Sequence, residues 1–281
     1  MPTGEVFALL GPNGAGKTTT VEILEGYRQA DTGSVRVLGL DPRRDAARLK
    51  QRVGLMLQQG GIYPGLTAAE VLRLFAAFYD QPASPEALLE QVGLTAVRQT
   101  RFRRLSGGQQ QRLGLAMAIV GRPELAFIDE PTAGMDPQAR QLTWGIIRGL
   151  KERGATVVLT THLMDEAQRL ADRIAIIDHG ALLALGTPQQ LLQRRSGAST
   201  SLRLSLPSPV SQGAVAALPG VDQVHMDGPA VYRIDTADPA AVAATLTVWL
   251  RDQGILLEEL RIGGASLEEV FLQLTGTDVR E

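Results

Sequence analysis

Val6-Phe7-Ala8-Leu9-Leu10 is an apolar run that passes without a break into Gly11-Pro12-Asn13-Gly14-Ala15-Gly16-Lys17-Thr18, and helical character follows through Glu25. A short apolar run bounded by glycine suits a strand buried on both faces. A glycine-rich turn between such a strand and a helix lets the backbone wrap, so that successive N–H groups point into one concavity. The start of the helix adds its partial positive charge to the same place. The chain is thereby committed to a strand–turn–helix unit with an anion-binding loop.

The pattern continues downstream. Gly33 to Leu40 reads as a short strand between turn signals and Val53 to Leu57 as a buried strand. From about Gln59 to Arg103 the character becomes amphipathic helix. Within it Thr67 to Tyr79 puts Val71, Leu72, Leu74, Phe75 and Phe78 on one broad face, and Pro85 to Val92 repeats the idea. A helix is expected over Gln110 to Val120, then strands at Leu125 to Ile128, Thr156 to Thr160 and Arg173 to Ile177. Strands alternating with helices predict an α/β fold with a mostly parallel sheet.

Length supports a second domain, because 281 residues exceed what one compact core usually holds. Around Gln193 to Ser201 the chain turns polar, and the boundary is expected there. Beyond it come strand (Leu202–Leu206), helix (Val210–Leu218), strands (Val221–Met226 and Val231–Asp235), helix (Pro239–Asp252), strand (Leu256–Ile262) and helix (Leu267–Leu274). The βαββαβ order predicts a small α+β, ferredoxin-like domain with a helix added. The expected division is residues 1–200, with a helical subdomain at 59–103, and residues 201–281.

Composition excludes several classes. A net charge of -2 argues against a strongly electrostatic hold on nucleic acid or anionic lipid. The absence of cysteine removes disulfides, thiolate metal sites and cysteine nucleophiles, and fits a reducing cytosol. The longest stretch free of charge, Leu204 to Val221, contains Pro207, Pro209 and Pro219 and is not a membrane span. The start, Met1 to Glu5, lacks the pattern of a secretory signal. Only three of the 28 basic residues are lysine, and Lys17 falls inside the glycine-rich turn.

Gly11 to Thr18 satisfies G-x-x-x-x-G-K-[ST] in the context the motif requires, a strand before and a helix after. In a phosphate-binding loop of this kind Lys17 brings a mobile charge to the β- and γ-phosphates and Thr18 a hydroxyl to Mg²⁺. Leu125-Ala126-Phe127-Ile128-Asp129-Glu130 is an apolar strand ending in two carboxylates. Asp129 is suited to hold Mg²⁺ and Glu130 to activate the attacking water. Alone, those carboxylates would read as a solvated acidic turn. Leu105-Ser106-Gly107-Gly108-Gln109 opens another helix with a serine and two glycines, a second anion-binding helix end. One nucleotide needs one cradle, so a second makes sense if it caps a nucleotide held by another copy.

That pentapeptide resembles the signature of ATP-binding-cassette (ABC) ATPases, which are P-loop NTPases with a helical subdomain. Gln58 matches the family's Q-loop glutamine, Gly134-Met135-Asp136 its D-loop and His162 its switch histidine. Met135 stands where leucine is commoner. The resemblance covers residues 4 to about 200. Tyr63-Pro64-Gly65-Leu66-Thr67, Pro131-Thr132-Ala133-Gly134 and the terminal Ala265-Ser266-Leu267-Glu268-Glu269-Val270-Phe271-Leu272-Gln273-Leu274-Thr275-Gly276 are similar to the bacterial drug-, antibiotic- or lipid-export branch of the daunorubicin-resistance type.

The resemblance implies an ATPase that closes head to tail as a homodimer when ATP is bound and drives a separate membrane permease from the cytoplasmic face. Gly11, Pro12, Asn13, Gly14, Ala15, Gly16, Lys17, Thr18 and Thr19 would hold the nucleotide. Ser106, Gly107, Gly108, Gln109 and Asp136 would complete the partner's site. Glu130, His162 and Gln58 would act in hydrolysis, and Thr18, Gln58 and Asp129 would attend Mg²⁺. The segment from Gln59 to Arg103 is the expected permease-docking surface.

One departure stands out. The family carries an adenine-stacking aromatic roughly twenty-five residues before the lysine. Only sixteen residues precede Lys17, and none of Met1 to Glu5 is aromatic. Such stacking is worth ~1–3 kcal/mol; a start that lies upstream, a shortened chain or another hold on adenine would each account for the departure, and the first is the expectation. Two other readings compete. A soluble ABC ATPase acting on ribosomes or DNA would bring a second cassette, long coiled coils or a basic stripe, none of which occurs here. A regulatory module without turnover fits poorly with Asp129, Glu130 and His162 all in place.

Overall fold

The computed structural model describes residues 1–57, 63–193, 200–263 and 267–275. The chain divides into two compact units, Met1–Pro188 and Gln189–Thr277.

In the first unit, strands β1 (Val6–Leu10), β2 (Val53–Met56), β3 (Leu125–Asp129), β4 (Thr156–Thr161), β5 (Arg173–Asp178) and β6 (Ala181–Gly186) form one sheet. Among the described residues its order is β2-β3-β4-β1-β5-β6. The first five strands run parallel and β6 turns back antiparallel on β5. Every residue of β3 and β4 is buried, as expected where helices cover both faces of a parallel sheet. β6 was not expected from the sequence. It follows a two-residue turn, His179-Gly180, with φ of 47° and 75°, the backbone that a tight hairpin demands.

The helices are α1 (Lys17–Glu25), α2 (Ala46–Lys50), α3 (Ala68–Ala76), α4 (Pro85–Gln91), α5 (Gly107–Ile119), α6 (Pro137–Glu152) and α7 (Met164–Leu170). Their starts follow from local chemistry. Thr67 and Ser106 each form a capping box with the residue three positions on, Glu70 and Gln109. Ser84 and Asp136 cap helices whose first residue is proline. One core joins Leu72 of α3, Leu89 of α4 and Leu113 of α5 to Ile128 and Val157 of the sheet and Ile147 of α6. α5 lies so close on β2 that a Cβ built on Gly54 would stand 1.9 Å from the Ala118 carbonyl oxygen.

Two expectations need correction. Gly33 to Leu40 is not a strand. Among the described residues no strand is adjacent to pair with it, and the backbone closes on itself through a bridge between Val37 and Leu40. The broad apolar face over Thr67 to Tyr79 is narrower than the periodicity suggests. Val71 and Leu72 are buried, but α3 ends at Ala76, and Phe78 in the turn beyond it is 63% exposed.

The second unit contains α8 (Pro188–Gln193), β7 (Thr200–Ser205), α9 (Gln212–Ala216), β8 (Gln223–Gly228), β9 (Val231–Thr236), α10 (Pro239–Asp252), β10 (Glu259–Gly263) and α11 (Leu267–Thr275). From β7 to β10 the order is βαββαβ, and the sheet runs β10-β7-β9-β8, antiparallel throughout. This is the split-βαβ, ferredoxin-like arrangement. Leu202, Leu204, Tyr232 and Ile234 pack against Leu246 and Leu250 of α10. The buried Tyr232 hydroxyl donates to the Val210 carbonyl at 2.7 Å and accepts the Val210 N–H at 2.6 Å, so its polar end is satisfied. Among the described residues no helix is long and apolar enough to cross a membrane.

Candidate functional site

Sheet order brings the chemistry together. β4 lies between β3 and β1, so the loops leaving β1, β3 and β4 emerge side by side at the carboxyl edge of the parallel strands. Ligands of open α/β sheets sit at that edge, where the connections cross over. Leu10, the last residue before the glycine-rich turn, is in register with Thr161, and Asp129 with Thr160.

The turn from Gly11 to Gly16 is held from below by the β5–β6 connection. The Gly180 N–H donates to the Ala15 carbonyl at 3.0 Å. A Cβ on Gly11 would stand 2.5 Å from the Ile177 carbonyl oxygen, so only glycine fits at that approach. Gly14 and Gly16 have φ of 80° and 100°, which favours residues without a side chain. α1 begins at Lys17, whose ammonium is buried and donates to the carbonyls of Gly11 at 2.8 Å and Pro12 at 3.1 Å. Burial lowers the Lys17 pKa, against the opposing pull of Glu130 and Asp129. Asn13, Gly14 and Thr18 are exposed at the mouth of the loop, with Pro12 and Thr19 half-buried.

Asp129 ends β3, buried, and its carboxylate accepts a hydrogen bond from the Thr160 hydroxyl of β4. Burial raises its pKa, the Thr160 hydrogen bond lowers it, Glu130 raises it and Lys17 lowers it. Glu130 takes a left-handed backbone, φ 45°, unusual for a residue with a side chain. Its N–H donates to the Thr160 carbonyl at 3.0 Å. Its Oε1 lies 3.1 Å from His162 Nδ1. A carboxylate beside an imidazole and a buried lysine can accept a proton from a water next to a bound phosphate.

Ser106 and Gly107 are exposed at the start of α5, with Gly108 and Gln109 half-buried. The Ser106 hydroxyl accepts the Gln109 N–H at 3.3 Å. Among the described residues no hydrogen bond or ion pair joins Ser106–Gln109 to Gly11–Thr18. Asp136 caps α6, accepting from the Ala139 N–H at 2.9 Å, and Met135 beside it is buried. Gln58 lies outside the described residues, as do Ala265, Ser266 and Gly276 of the terminal motif.

Two residues that shape the site, Thr160 and Glu166, carry no local signal in the sequence. Thr160 became legible only through the register that sets it opposite Asp129. Glu166 of α7 is buried, and its Oε1 accepts from Thr132 Oγ1 and Trp144 Nε1, both at 2.8 Å. It ties the turn after Glu130 to α6 and to the helix after His162, and an acid inside a helix of seven residues gave no such sign.

Known proteins resemble this chain closely. A family model described as ABC transporter matches residues 1–133. A daunorubicin/doxorubicin resistance ATP-binding protein of Streptomyces peucetius is 37% identical over 98% of this chain and 86% of its own length. A linearmycin resistance ATP-binding protein of Bacillus subtilis is 34% identical over 99% of this chain and 92% of its own. A Nod factor export ATP-binding protein I of Ralstonia nicotianae is 35% identical over 99% and 87%. Among solved structures, an ATP-binding subunit of an ABC transporter aligns over 68% of this chain with a TM-score of 0.63 at 28% identity. A dimeric ATP-binding cassette in a post-hydrolysis state, bound to ADP and Pi, aligns over 66% with a TM-score of 0.62 at 25% identity.

Proposed function

The chain belongs to the ABC transporter family as an ATP-binding subunit, and we propose that it hydrolyses ATP to power a separate membrane permease that exports a drug, an antibiotic or a lipid. The observation that carries this reading is the convergence of Lys17, Asp129, Glu130 and His162 at one edge of the sheet, with Glu130 and His162 3.1 Å apart. The relatives named for Nod factor export and for linearmycin and daunorubicin/doxorubicin resistance match over nearly the whole chain, C-terminal unit included. Residues 1–200 serve as the cassette and residues 201–281 as an accessory domain.

Gly11 to Thr19 cradle the triphosphate, and Lys17 swings from its own loop carbonyls to the phosphate oxygens. Glu130 takes the proton of the attacking water, and His162 orients Glu130 and senses the γ-phosphate. The hard oxygen donors Thr18 and Asp129 fit Mg²⁺, which keeps most of its ligands as water and phosphate; Gln58 joins them. When bound, Mg²⁺ neutralises charge that develops on the phosphates. The chain supplies the rest by position.

Two copies meet head to tail, and Ser106 to Gln109 of one cover the nucleotide of the other. The exposure of Ser106 and Gly107 and the dimeric solved relative support that pairing, with Asp136 linking the two sites. ATP draws the copies together and its hydrolysis lets them part, so the permease feels two states. It works at the cytoplasmic face of the membrane.

Complementation tests the pairing. A Lys17→Ala copy paired with a Ser106→Arg copy forms one intact site, so turnover per mixed dimer is expected to return to about half the wild-type rate once the permease is present. No recovery, in samples where mixed pairs are detected by mass, would overturn it.

A further inference from the structure

The segments that carry Glu130 and His162 touch each other twice. One contact is Glu130 Oε1 with His162 Nδ1, 3.1 Å apart. The other lies in the interior, where Thr132, two residues beyond Glu130, meets Glu166, four residues beyond His162. Thr132 and Glu166 are 0% and 1% exposed. The Thr132 hydroxyl and the Trp144 indole N–H of α6 both donate to Glu166 Oε1 at 2.8 Å, and Oε2 has no partner among the described residues. Burying a carboxylate with one oxygen unpaired is costly. Apolar side chains of the same shape would fill that space at little or no loss, so the polar arrangement points to geometry rather than to stability.

Glu130 is the residue that needs the geometry. With φ of 45° it holds a backbone that a residue with a side chain keeps only where its surroundings over-determine it. The turn beyond it closes through the Ala133 N–H to the Glu130 carbonyl at 3.3 Å and the Met135 N–H to the Thr132 carbonyl at 3.1 Å. α6 grips the far end of that turn too, since the Thr143 hydroxyl lies 3.4 Å from Met135 Sδ, an acceptor that leucine would lack. Arg169 of α7 covers the Trp144 ring at 5.6 Å and fastens the two helices further. Among the described residues no hydrogen bond or ion pair runs from Glu166 to the phosphate cradle, Gly11 to Thr18.

Resting on the proposed function, we propose that Glu166 is a positioning residue for hydrolysis. Anchored to α6 by Trp144, it holds Thr132 and so keeps Glu130 in its uncommon backbone, facing His162. Sealed in the interior, it touches neither nucleotide nor attacking water and acts through Glu130 and His162. Without it the turn relaxes and Glu130 moves off His162. Proton acceptance then slows, while nucleotide binding, which belongs to the cradle, persists.

The test measures steady-state ATP turnover of the full chain assembled with its permease. Glu166→Ala is expected to lower kcat about 10- to 100-fold with KM for ATP within about threefold of wild type, as for a misplaced catalytic group. Glu166→Gln keeps an oxygen for the same two donors and is expected to recover kcat to within about threefold of wild type. Added to His162→Ala, Glu166→Ala should lower kcat by no more than about twofold further, because both act through one carboxylate. Thermal melting of each chain identifies loss of fold. If Glu166→Ala does not fold, Thr132→Val, which removes one donor and leaves Glu166 bonded to Trp144, carries the same expectations. A kcat within about twofold of wild type in the folded variant would overturn the assignment. So would Glu166→Gln as slow as Glu166→Ala, a KM that rises about tenfold, or effects that multiply with His162→Ala, the marks of general loosening. Wild-type turnover in both Glu130→Gln and His162→Ala would instead strike the proposed function, and this inference with it.

Discussion

Thr160 and Asp129 face each other across the β3–β4 ladder, and the Thr160 hydroxyl donates to the buried Asp129 carboxylate. The same hydroxyl oxygen accepts the Glu130 N–H at 3.3 Å. One side chain thus braces both acids of the proposed hydrolytic centre. Thr160→Val keeps the shape and removes the donor, leaving a buried carboxylate without its neighbour. We expect a loss of about 2 kcal/mol in stability and at least a tenfold fall in steady-state ATP turnover. Thr160→Ser should restore most of both. Urea unfolding and phosphate release measure the two effects.

In the proposed mechanism Glu130 carries a different burden, since its neighbours Asp129 and Lys17 would remain to hold nucleotide and metal without it. Glu130→Gln retains the side-chain shape and loses the capacity to take a proton. The expected outcome is nucleotide binding within a few-fold of wild type and turnover lower by about 10²- to 10⁴-fold. A dimer trapped by ATP should then persist in size-exclusion chromatography. Near-normal steady-state hydrolysis would remove Glu130 from the role of base.

Gly54 tests packing alone. It lies in the middle of β2, and a Cβ there would meet the Ala118 carbonyl oxygen of α5 at 1.9 Å and the Pro123 ring at 2.9 Å. Neither is the free end of a flexible chain. Gly54→Ala must therefore push α5 off the sheet, an overpacking cost of about 3 kcal/mol. Because α5 carries Ser106 at its start, pairing of the subunits should suffer with it. The thermal midpoint of the isolated chain and its ATP-dependent dimerisation check this together.

Much of this was written in the chain. The β1 apolar run and its glycines declare the cradle, and the pairs Ser84-Pro85, Asp136-Pro137 and Asp238-Pro239 announce three helix starts. Cap and proline act locally, so local sequence reveals them. The misses are of another kind. Gly33 to Leu40 has the composition of a strand, but a strand exists only where a neighbour pairs with it. Phe78 continues the apolar period of α3 in the sequence, but the helix ends at Ala76, and the ring turns outward. Thr160, Glu166 and Glu25 owe their importance to what long-range packing sets beside them. No spacing along the chain encodes a register partner 31 residues away.

Glu25 makes that packing measurable through pH. Its pKa in the folded chain is about 8 against an ordinary 4.5, chiefly because burial disfavours the charged form. Asp129 and Glu22 act in the same direction, while Arg43, Lys50, Tyr27 and Tyr79 line a groove around it. Below the ordinary value both folded and unfolded chains hold the proton, and Glu25 costs nothing. As pH rises from about 4.5 towards 8 the unfolded chain ionises while the folded chain stays protonated, so the unfolded state gains and stability falls. Above 8 both states are ionised and the loss levels off. Glu25→Gln has no proton to lose. Its melting temperature should match wild type near pH 5, exceed it by roughly 5 °C at pH 8, and keep that margin at pH 9. A margin that does not change between pH 5 and pH 8 would mean that Glu25 is ionised throughout in the folded chain, with a counter-charge already beside it.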